Sequence, residues 1–166
     1  MKDIFNVAIM GAAGAVGQVM MEILAERDFP IAQLRLLASA RSAGRELEFK
    51  GEKIVVEELK EDSFAGIDIV LASAGGALSK QYNPHAVKAG AVVIDNTSAY
   101  RMDPEVPLAV PEINPGDIEA HSGIIANPTC STIIMDVVVW PLYQKSKIKR
   151  IVVSTYQAVS GAGARA

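Results

Sequence analysis

Short apolar runs alternate along this chain with segments whose apolar residues recur at helical spacing. The runs are typical of buried strands, and most of them end at glycine or at a polar turn. They cover residues 5–10, 34–38, 54–59, 68–73, 91–95 and 123–126. Helical spacing is clearest between Val16 and Leu24, directly after the first run. Strands that alternate with helices predict parallel βαβ units in an open, doubly wound sheet.

Proline interrupts this pattern in the two later helices. The segment 77–89 has a helix-forming composition, but Pro84 is expected to kink or divide it. The helix that begins at Ser131 is expected to be interrupted or kinked at Pro141 for the same reason.

Two further stretches are assigned from their composition. Residues 104–115 hold four prolines around Leu108, Ala109 and Val110, which predicts a loop with one short strand. Residues 148–156 are rich in β-branched residues and tend towards alternation, so we expect another strand there.

Composition and charge narrow the classes of function. Half of the 166 residues are hydrophobic, which suffices for a substantial core, and the net charge is −3. That balance gives no reason to expect nucleic acid or an anionic membrane as a partner. One cysteine excludes a disulfide within the chain and makes a poor metal site. Since no apolar run could span a bilayer and the N-terminus lacks a secretory pattern, we expect a cytoplasmic protein that binds small molecules.

A glycine-rich turn follows the first predicted strand and opens the first helix. It reads Gly11-Ala12-Ala13-Gly14-Ala15-Val16-Gly17, a G-x-x-G-x-x-G spacing in place of the usual G-x-G start. Small residues let the backbone approach a pyrophosphate, and free amides at a helix N-terminus point towards it. A tight turn that merely needs glycine is the alternative, but the flanking strand and helix favour nucleotide binding.

The polar turn after the second strand bears on the choice of nucleotide. An NAD site generally has an acidic residue there, whereas an NADP site uses arginine for the additional phosphate. This chain has Arg41-Ser42 at that point and no acidic residue before Glu46. Arg41 can bind phosphate through two N–H groups, and Ser42 adds a hydroxyl. The turn therefore favours NADP, with a solvated surface loop as the alternative.

Cys130 lies where a predicted strand has ended and a helix begins. A lone cysteine is ordinarily an inert buried residue, but the positive end of a helix dipole stabilises a thiolate. The neighbouring amides can also hold an oxyanion formed by attack on a carbonyl. A nucleotide and an activated thiol together indicate oxidation of an aldehyde through a thioester. A histidine base should assist, but His85 and His121 are both interpreted as surface residues, so the base is missing.

Six strings of the sequence resemble the bacterial aspartate-β-semialdehyde dehydrogenase family, in the same order and over the whole chain. They are GAAGAVG from Gly11, LASARSAGR from Leu37, SAGGALSK from Ser73, VVIDNTSAYRMDPEVPLAVPEINP from Val92, GIIANPTCST from Gly123 and VVSTYQAVSGAG from Val152. The resemblance implies a Rossmann-type NADP-binding domain with a mostly parallel sheet over residues 1–128. Residues 129–166 are then the start of an α+β catalytic and dimerisation domain.

The resemblance also implies a reaction and a set of site residues. The reaction is the reversible, NADPH-dependent reduction of L-aspartyl 4-phosphate to aspartate 4-semialdehyde and phosphate, which leads to lysine, threonine, methionine and diaminopimelate. Matched positions imply Cys130 as the acyl-thioester nucleophile, Gln157 as a substrate-orienting residue and Arg101 as a ligand of the transferring phosphate. The Gly11 to Gly17 turn, Arg41-Ser42 and Ser160-Gly161 are implied to contact NADP.

The chain departs from the family pattern in two residues and in length. Thr129 stands where the family often has Asn, which leaves the role of that position unassigned, and Ala13 stands where Thr is common. Family members are roughly twice as long, and their second domain supplies a catalytic His, a substrate-carboxylate Arg and most of a homodimer interface. The resemblance therefore implies that residues 1–166 alone do not turn over.

Two alternatives remain open at this point. One is a related phosphate-dependent semialdehyde reductase, such as N-acetylglutamyl-phosphate reductase, which shares the glycine turn and the thiol chemistry. The other is a nucleotide-binding module that never catalyses. The strings SARSAGR and TYQAVSGAG favour the aspartate-semialdehyde family over the first alternative.

Overall fold

A sheet with helices on both faces organises residues 4–158, the part of the chain that the computed structural model describes. Its strands are β1 (Phe5–Met10), β2 (Ile31–Ala38), β3 (Glu46–Phe49), β4 (Glu52–Glu58), β5 (Ile69–Ala72), β6 (Val92–Asp95) and β7 (Ile124–Ala126). The helices are α1 (Ala15–Glu26), α2 (Gly76–Lys88), α3 (Pro115–Ile118) and α4 (Cys130–Lys145). The strands predicted from apolar runs up to residue 126 are all present, with bounds that differ by a few residues.

The strands lie in the order β3-β4-β2-β1-β5-β6-β7. Neighbours from β4 to β7 are parallel, and only β3 pairs antiparallel within the described residues. The chain builds outward from β1 on one side and then returns to build outward on the other, so the sheet is doubly wound about β1 and β5. The prediction of a mostly parallel, Rossmann-like α/β sheet is confirmed.

Two apolar layers cover the opposite faces of this sheet. One layer contains Leu37 and packs against α2 through the fully buried Ala86. The other contains Leu36 and packs against α1 through Met21. Adjacent residues of a strand point to opposite faces, so Leu36 and Leu37 serve one layer each. Within residues 4–158 no helix is both long and apolar enough to cross a membrane.

The sequence does not predict the hairpin of β3 and β4. β3 is only four residues long, and its two glutamates alternate with Leu47 and Phe49, so it does not stand out as an apolar run. Its turn is Lys50-Gly51, and both residues have positive φ, 49° and 83°, as a two-residue hairpin turn requires. Lys50 also forms an ion pair with Asp28 beyond α1, and this hydrogen bond lowers the pKa of the Asp28 carboxyl.

The expectations for the later elements have three outcomes. Neither α2 nor α4 is divided at its proline, because Pro84 and Pro141 each remove one intrahelical hydrogen bond and the flanking turns still form; a kink at either residue stays a prediction. The short strand expected near Leu108 is reduced to a single bridge to Ala126. Residues 148–156 form no strand, since β propensity gives no ladder without a neighbouring strand to supply hydrogen bonds.

Gly17 gives a direct test of the contact between α1 and the turn that follows β1. A Cβ placed on Gly17 would lie 2.6 Å from the Cα of Ala12 and closer still to the carbonyl oxygen of Gly11. Both obstacles are backbone atoms, so we expect Gly17→Ala to lower the free energy of unfolding by about 2–3 kcal/mol, as other overpacked substitutions do. Urea denaturation of the 166-residue chain measures this change.

Gly116→Ala is the matched control for that substitution. Gly116 lies in α3, and nothing comes within 4 Å of a Cβ placed there. We expect its effect to stay within about 0.5 kcal/mol, the usual range at unobstructed surface positions. Equal effects of the two substitutions would contradict the close packing at Gly17.

Candidate nucleotide and thiol sites

The glycine turn is fixed between the ends of two strands. The amides of Gly11 and Ala12 donate to the carbonyl of Leu37 in β2, at 2.8 and 3.1 Å. On the other side, a Cβ on Gly11 would lie 2.8 Å from the carbonyl oxygen of Ser73, directly after β5. Gly11 also has a φ of +96°, which favours glycine on its own. The turn therefore brings bare backbone to the carboxyl edge of the sheet, where nucleotides bind in such folds.

The start of α1 has amide groups available for an anion. Its N-cap is Gly14, which has extended backbone and no side chain to cap the helix, and the first turn carries no acidic residue. The amides of the first turn, Ala15 to Gly17, have no carbonyl partner within the helix. Gly11, Ala13 and Gly14 line the adjacent cleft, whereas Val16 is exposed and Gly17 is buried against the turn.

A cleft of about 750 Å³ extends from the glycine turn to the polar turn after β2. Ser42 is half-buried in its wall, and Arg41 is exposed beside it. The amide of Ser42 donates to the carbonyl of Ser39 at 2.8 Å, which folds the turn back over the end of the sheet. Thus the structure brings Arg41 and Ser42 to the same cleft as the glycine turn, while their contact with NADP stays a prediction.

Arg45 lines the same cleft and was not identified from the sequence. Its carbonyl accepts from the amide of Val56 at 2.7 Å, so β4 fixes its position. Within residues 4–158 neither Arg41 nor Arg45 forms an ion pair, while the nearby Glu58 pairs with Lys60 at 3.2 Å. Predicting the β3–β4 hairpin would have placed Arg45 here, because it directly precedes β3.

A buried carboxylate at the end of β6 holds the loop that leads to the second candidate site, around Arg101 and Cys130. Asp95 is fully buried, and its Oδ1 accepts from the Ser79 hydroxyl at 3.2 Å and from the Thr97 amide at 2.7 Å. Its Oδ2 accepts from Nδ2 of Asn83 at 2.9 Å. Burial, together with the carboxylates of Asp95 and Asp103, raises the pKa of the nearby Tyr100 phenol, which donates to the Ser79 carbonyl at 3.5 Å. This network joins α2 to the loop that carries Arg101.

The guanidinium of Arg101 joins two backbone carbonyls and one side-chain hydroxyl. Its Nε donates to the carbonyl of Asn127 and its Nη2 to the carbonyl of Asn96, both at 2.9 Å. Its Nη1 donates to Oγ1 of Thr129, also at 2.9 Å. The first two partners follow β7 and β6, and the third directly precedes Cys130. Arg101 is therefore held close to the residue that bears the thiol, with two N–H donors left over for an anion.

Cys130 is exposed and is the first residue of α4. Nε2 of Gln157 lies 3.9 Å from its Sγ, within hydrogen-bonding reach of sulfur, although the two residues are 27 positions apart. Both line a groove of about 580 Å³ between α4 and residues 153–158. The structure thus brings together Cys130, Gln157 and, through Thr129, Arg101. Ser160 and Gly161 lie outside the described residues.

Neither histidine is near the thiol groove. Nε2 of His85 lies 3.8 Å from a carboxylate oxygen of Glu61. Nδ1 of His121 accepts from the amide of Gly123 at 2.9 Å. Neither residue lines the groove around Cys130.

The doubly wound sheet, the glycine turn at its carboxyl edge and the open helix start beside a cleft define a dinucleotide-binding domain. Residues 6–121 match the family model described as "Semialdehyde dehydrogenase, NAD binding domain". The chain belongs to this family.

Individual relatives agree with this assignment. The chain is 58% identical to an aspartate-semialdehyde dehydrogenase of Synechocystis over all 166 residues, which make up 49% of that protein. Aspartate semialdehyde dehydrogenase II of Vibrio cholerae, solved as a complex with ASA, is 52% identical with a TM-score of 0.90, covering 96% of this chain and 53% of that one. The Candida albicans enzyme solved with NADP is 27% identical with a TM-score of 0.73, covering 86% and 47%. The chain spans about half the length of the curated relatives it matches.

The buried Asp95 network yields a prediction for folding. Asp95→Ala removes the acceptor of two buried donors, on Ser79 and Asn83, and of the partly buried Thr97 amide, so we expect it to lower the free energy of unfolding by about 3 kcal/mol or more. Asp95→Asn should lower the free energy of unfolding by only about 1 kcal/mol. The Oδ1 of Asn83 is buried without a partner, and a rotation of the Asn83 amide would let it accept a hydrogen bond from the new amide group. Denaturant unfolding of both variants measures the difference; a larger loss in Asp95→Asn than in Asp95→Ala would contradict the network.

Proposed function

We propose that this chain is the nucleotide-binding and thiol-bearing part of an NADP-dependent aspartate-semialdehyde dehydrogenase. The reaction is the reversible reduction of L-aspartyl 4-phosphate to aspartate 4-semialdehyde and phosphate. The observation that carries the proposal is the grouping at the start of α4, where Cys130 has Gln157 within reach of its Sγ and Arg101 bound to the residue before it. A nucleophile, an amide donor and a phosphate-binding cation are what acyl transfer between a thiol and phosphate requires.

Two of the relatives support the choice of substrate and cofactor. The Vibrio cholerae protein was solved with ASA, and the Candida albicans protein with NADP. The groove and the cleft of this chain lie at the same sheet edge, so one site can serve substrate and cofactor together. The family name on its own is compatible with either dinucleotide, and the arginines of the cleft support NADP.

The residues of the cleft fit a dinucleotide that carries an additional phosphate. A Cβ on Gly11 would touch the backbone of Ser73, so only glycine lets the turn pack this closely against the residue after β5, and the first turn of α1 offers amides to a pyrophosphate. Arg41 and Arg45 are exposed cations on one cleft, without a carboxylate partner in the described chain, and Ser42 adds a hydroxyl. NADP bound there would supply an acceptor for a hydride.

In the oxidative direction Cys130 acts as the nucleophile. Its thiolate forms a bond to the aldehyde carbon, and the carbonyl electron pair moves onto oxygen. Amides in the first turn of α4 have no side-chain cap and can donate to that oxyanion. After the carbon has lost its hydride, Cys130 carries the acyl group as a thioester. Inorganic phosphate bound by Arg101 displaces the thiolate and leaves as the acyl phosphate, which restores Cys130.

The proton of the thiol needs a base that residues 4–158 do not provide. His85 is engaged with Glu61, and His121 accepts a backbone hydrogen bond. We therefore propose that the base belongs to a second domain, of which residues 129–166 form the beginning. α4 supports this boundary, because it has no buried residue and exposes Ile134, Val138 and Leu142.

The cofactor proposal predicts a selective effect at Arg41. Arg41→Ala removes a charge-assisted contact with the phosphate that distinguishes NADP from NAD, so NADP affinity should fall about 10- to 100-fold. NAD affinity should change by less than about twofold, since NAD lacks that phosphate. Calorimetric titration of the 166-residue chain with each nucleotide measures both.

Arg27→Ala is the control for the loss of charge. Arg27 is exposed after α1 and does not line the cleft. It should leave both affinities unchanged. An equal loss of NADP and NAD affinity in Arg41→Ala would contradict the proposal that Arg41 binds the additional phosphate of NADP.

The catalytic proposal is tested at the thiol, in the chain expressed with the sequence that follows it naturally. We expect phosphate- and NADP-dependent oxidation of aspartate semialdehyde, and Cys130→Ser should lower kcat by at least about a thousandfold, since the nucleophile is lost. Formation of NADPH, followed by its absorbance, measures the rate. Substantial activity in Cys130→Ser would contradict thioester chemistry, and NADP binding without any turnover would favour a non-catalytic module.

A further inference from the structure

Thr129 occupies the N-cap of α4 without capping the helix. A threonine at this position ordinarily accepts a hydrogen bond from an amide of the first turn through its hydroxyl oxygen. Here the side chain makes no capping hydrogen bond. Its Oγ1 accepts from Nη1 of Arg101 at 2.9 Å instead. The hydroxyl therefore binds the arginine, and the amides of the first turn of α4 are left without a side-chain acceptor.

The other two hydrogen bonds of Arg101 do not reach the helix. They end on the carbonyls of Asn96 and Asn127, which follow β6 and β7. These bonds hold Nε and Nη2 to the edge of the sheet. Among the bonds that the structure describes, only the one from Nη1 ends on the N-cap residue of α4, which directly precedes Cys130. Because the guanidinium is one rigid plane, removing this bond would leave it held at Nε and Nη2 only, so that it could tilt about these two bonds and move Nη1 away from the start of α4.

We propose that Thr129 is a positioning residue that holds the Arg101 guanidinium at the start of α4, so that an anion bound by Arg101 lies beside the Cys130 thiol. The inference rests on the proposed function only in taking that anion to be the phosphate of the substrate. The geometry itself is a hydrogen bond from the Arg101 guanidinium to Thr129, the residue directly before Cys130. The hydroxyl oxygen is the acting group, so serine can replace threonine here and valine cannot.

The single cysteine makes this geometry measurable without turnover. Cys130 is exposed and is the only cysteine of the chain, so alkylation reports on one thiol. Iodoacetate and iodoacetamide react alike: the thiolate sulfur bonds to the methylene carbon and iodide leaves. The two reagents differ in the carboxylate of iodoacetate. The ratio of their rates therefore measures whether a cation lies near the thiol, while the iodoacetamide rate controls for any general change at Cys130.

We expect Thr129→Val to lower the iodoacetate-to-iodoacetamide ratio by about two- to fivefold at low ionic strength, since it loosens a cation near the thiol. Thr129→Ser should keep the ratio of the unaltered chain. Arg101→Ala should lower the ratio at least as far as Thr129→Val. In the Arg101→Ala background, Thr129→Val should lower it no further, because the two residues act as one unit.

An unchanged ratio in Thr129→Val, or an equal fall in Thr129→Ser, would overturn the inference. So would an additive fall in the double variant, which would mean that Thr129 acts on Cys130 without Arg101. An unchanged ratio in Arg101→Ala would also overturn it. None of these outcomes involves nucleotide or turnover, so the positioning role and the proposed function can fail separately.

Discussion

Three charge-assisted hydrogen bonds from Arg101 tie the ends of β6 and β7 to the residue before α4. The ladder of a parallel sheet stops at these strand ends, and the carbonyls beyond it need other donors. Arg101 supplies them for Asn96 and Asn127, whose side chains also bond to each other at 2.7 Å. Beneath this layer, Asp95 fixes the loop from inside the core. The position of the thiol follows from these bonds, because α4 begins where they end.

The parallel sheet explains why distant segments share one edge. The carboxyl ends of β1, β2, β5, β6 and β7 all lie on the same side, so the loops that follow them meet there. The glycine turn follows β1, and the Arg41-Ser42 turn follows β2. Arg101 and Cys130 follow β6 and β7. Under the proposed function, this common edge would bring the nucleotide in the cleft and a thiol-bound substrate together for hydride transfer.

The sequence predicts those elements whose structure depends mainly on residues close to each other along the chain. The glycine turn, a helix start beside Cys130 (predicted at Ser131) and the parallel strands follow from residue type and spacing. The bond between Arg101 and Thr129 spans 28 positions and depends on the sheet order, so no short-range signal predicts it. Arg45 was missed for a related reason, since its place depends on the β3–β4 hairpin. The strand expected over residues 148–156 has the right composition but no neighbour to pair with.

Mass spectrometry of the chain with its natural downstream sequence tests the central claim most directly. The protein is incubated with aspartate semialdehyde and NADP in the absence of phosphate, then digested. Our account predicts an aspartyl group bound as a thioester to the peptide that contains Cys130, formed in step with NADPH and discharged when phosphate is added. Formation of NADPH with no adduct on that peptide, or an adduct that phosphate does not remove, would contradict it.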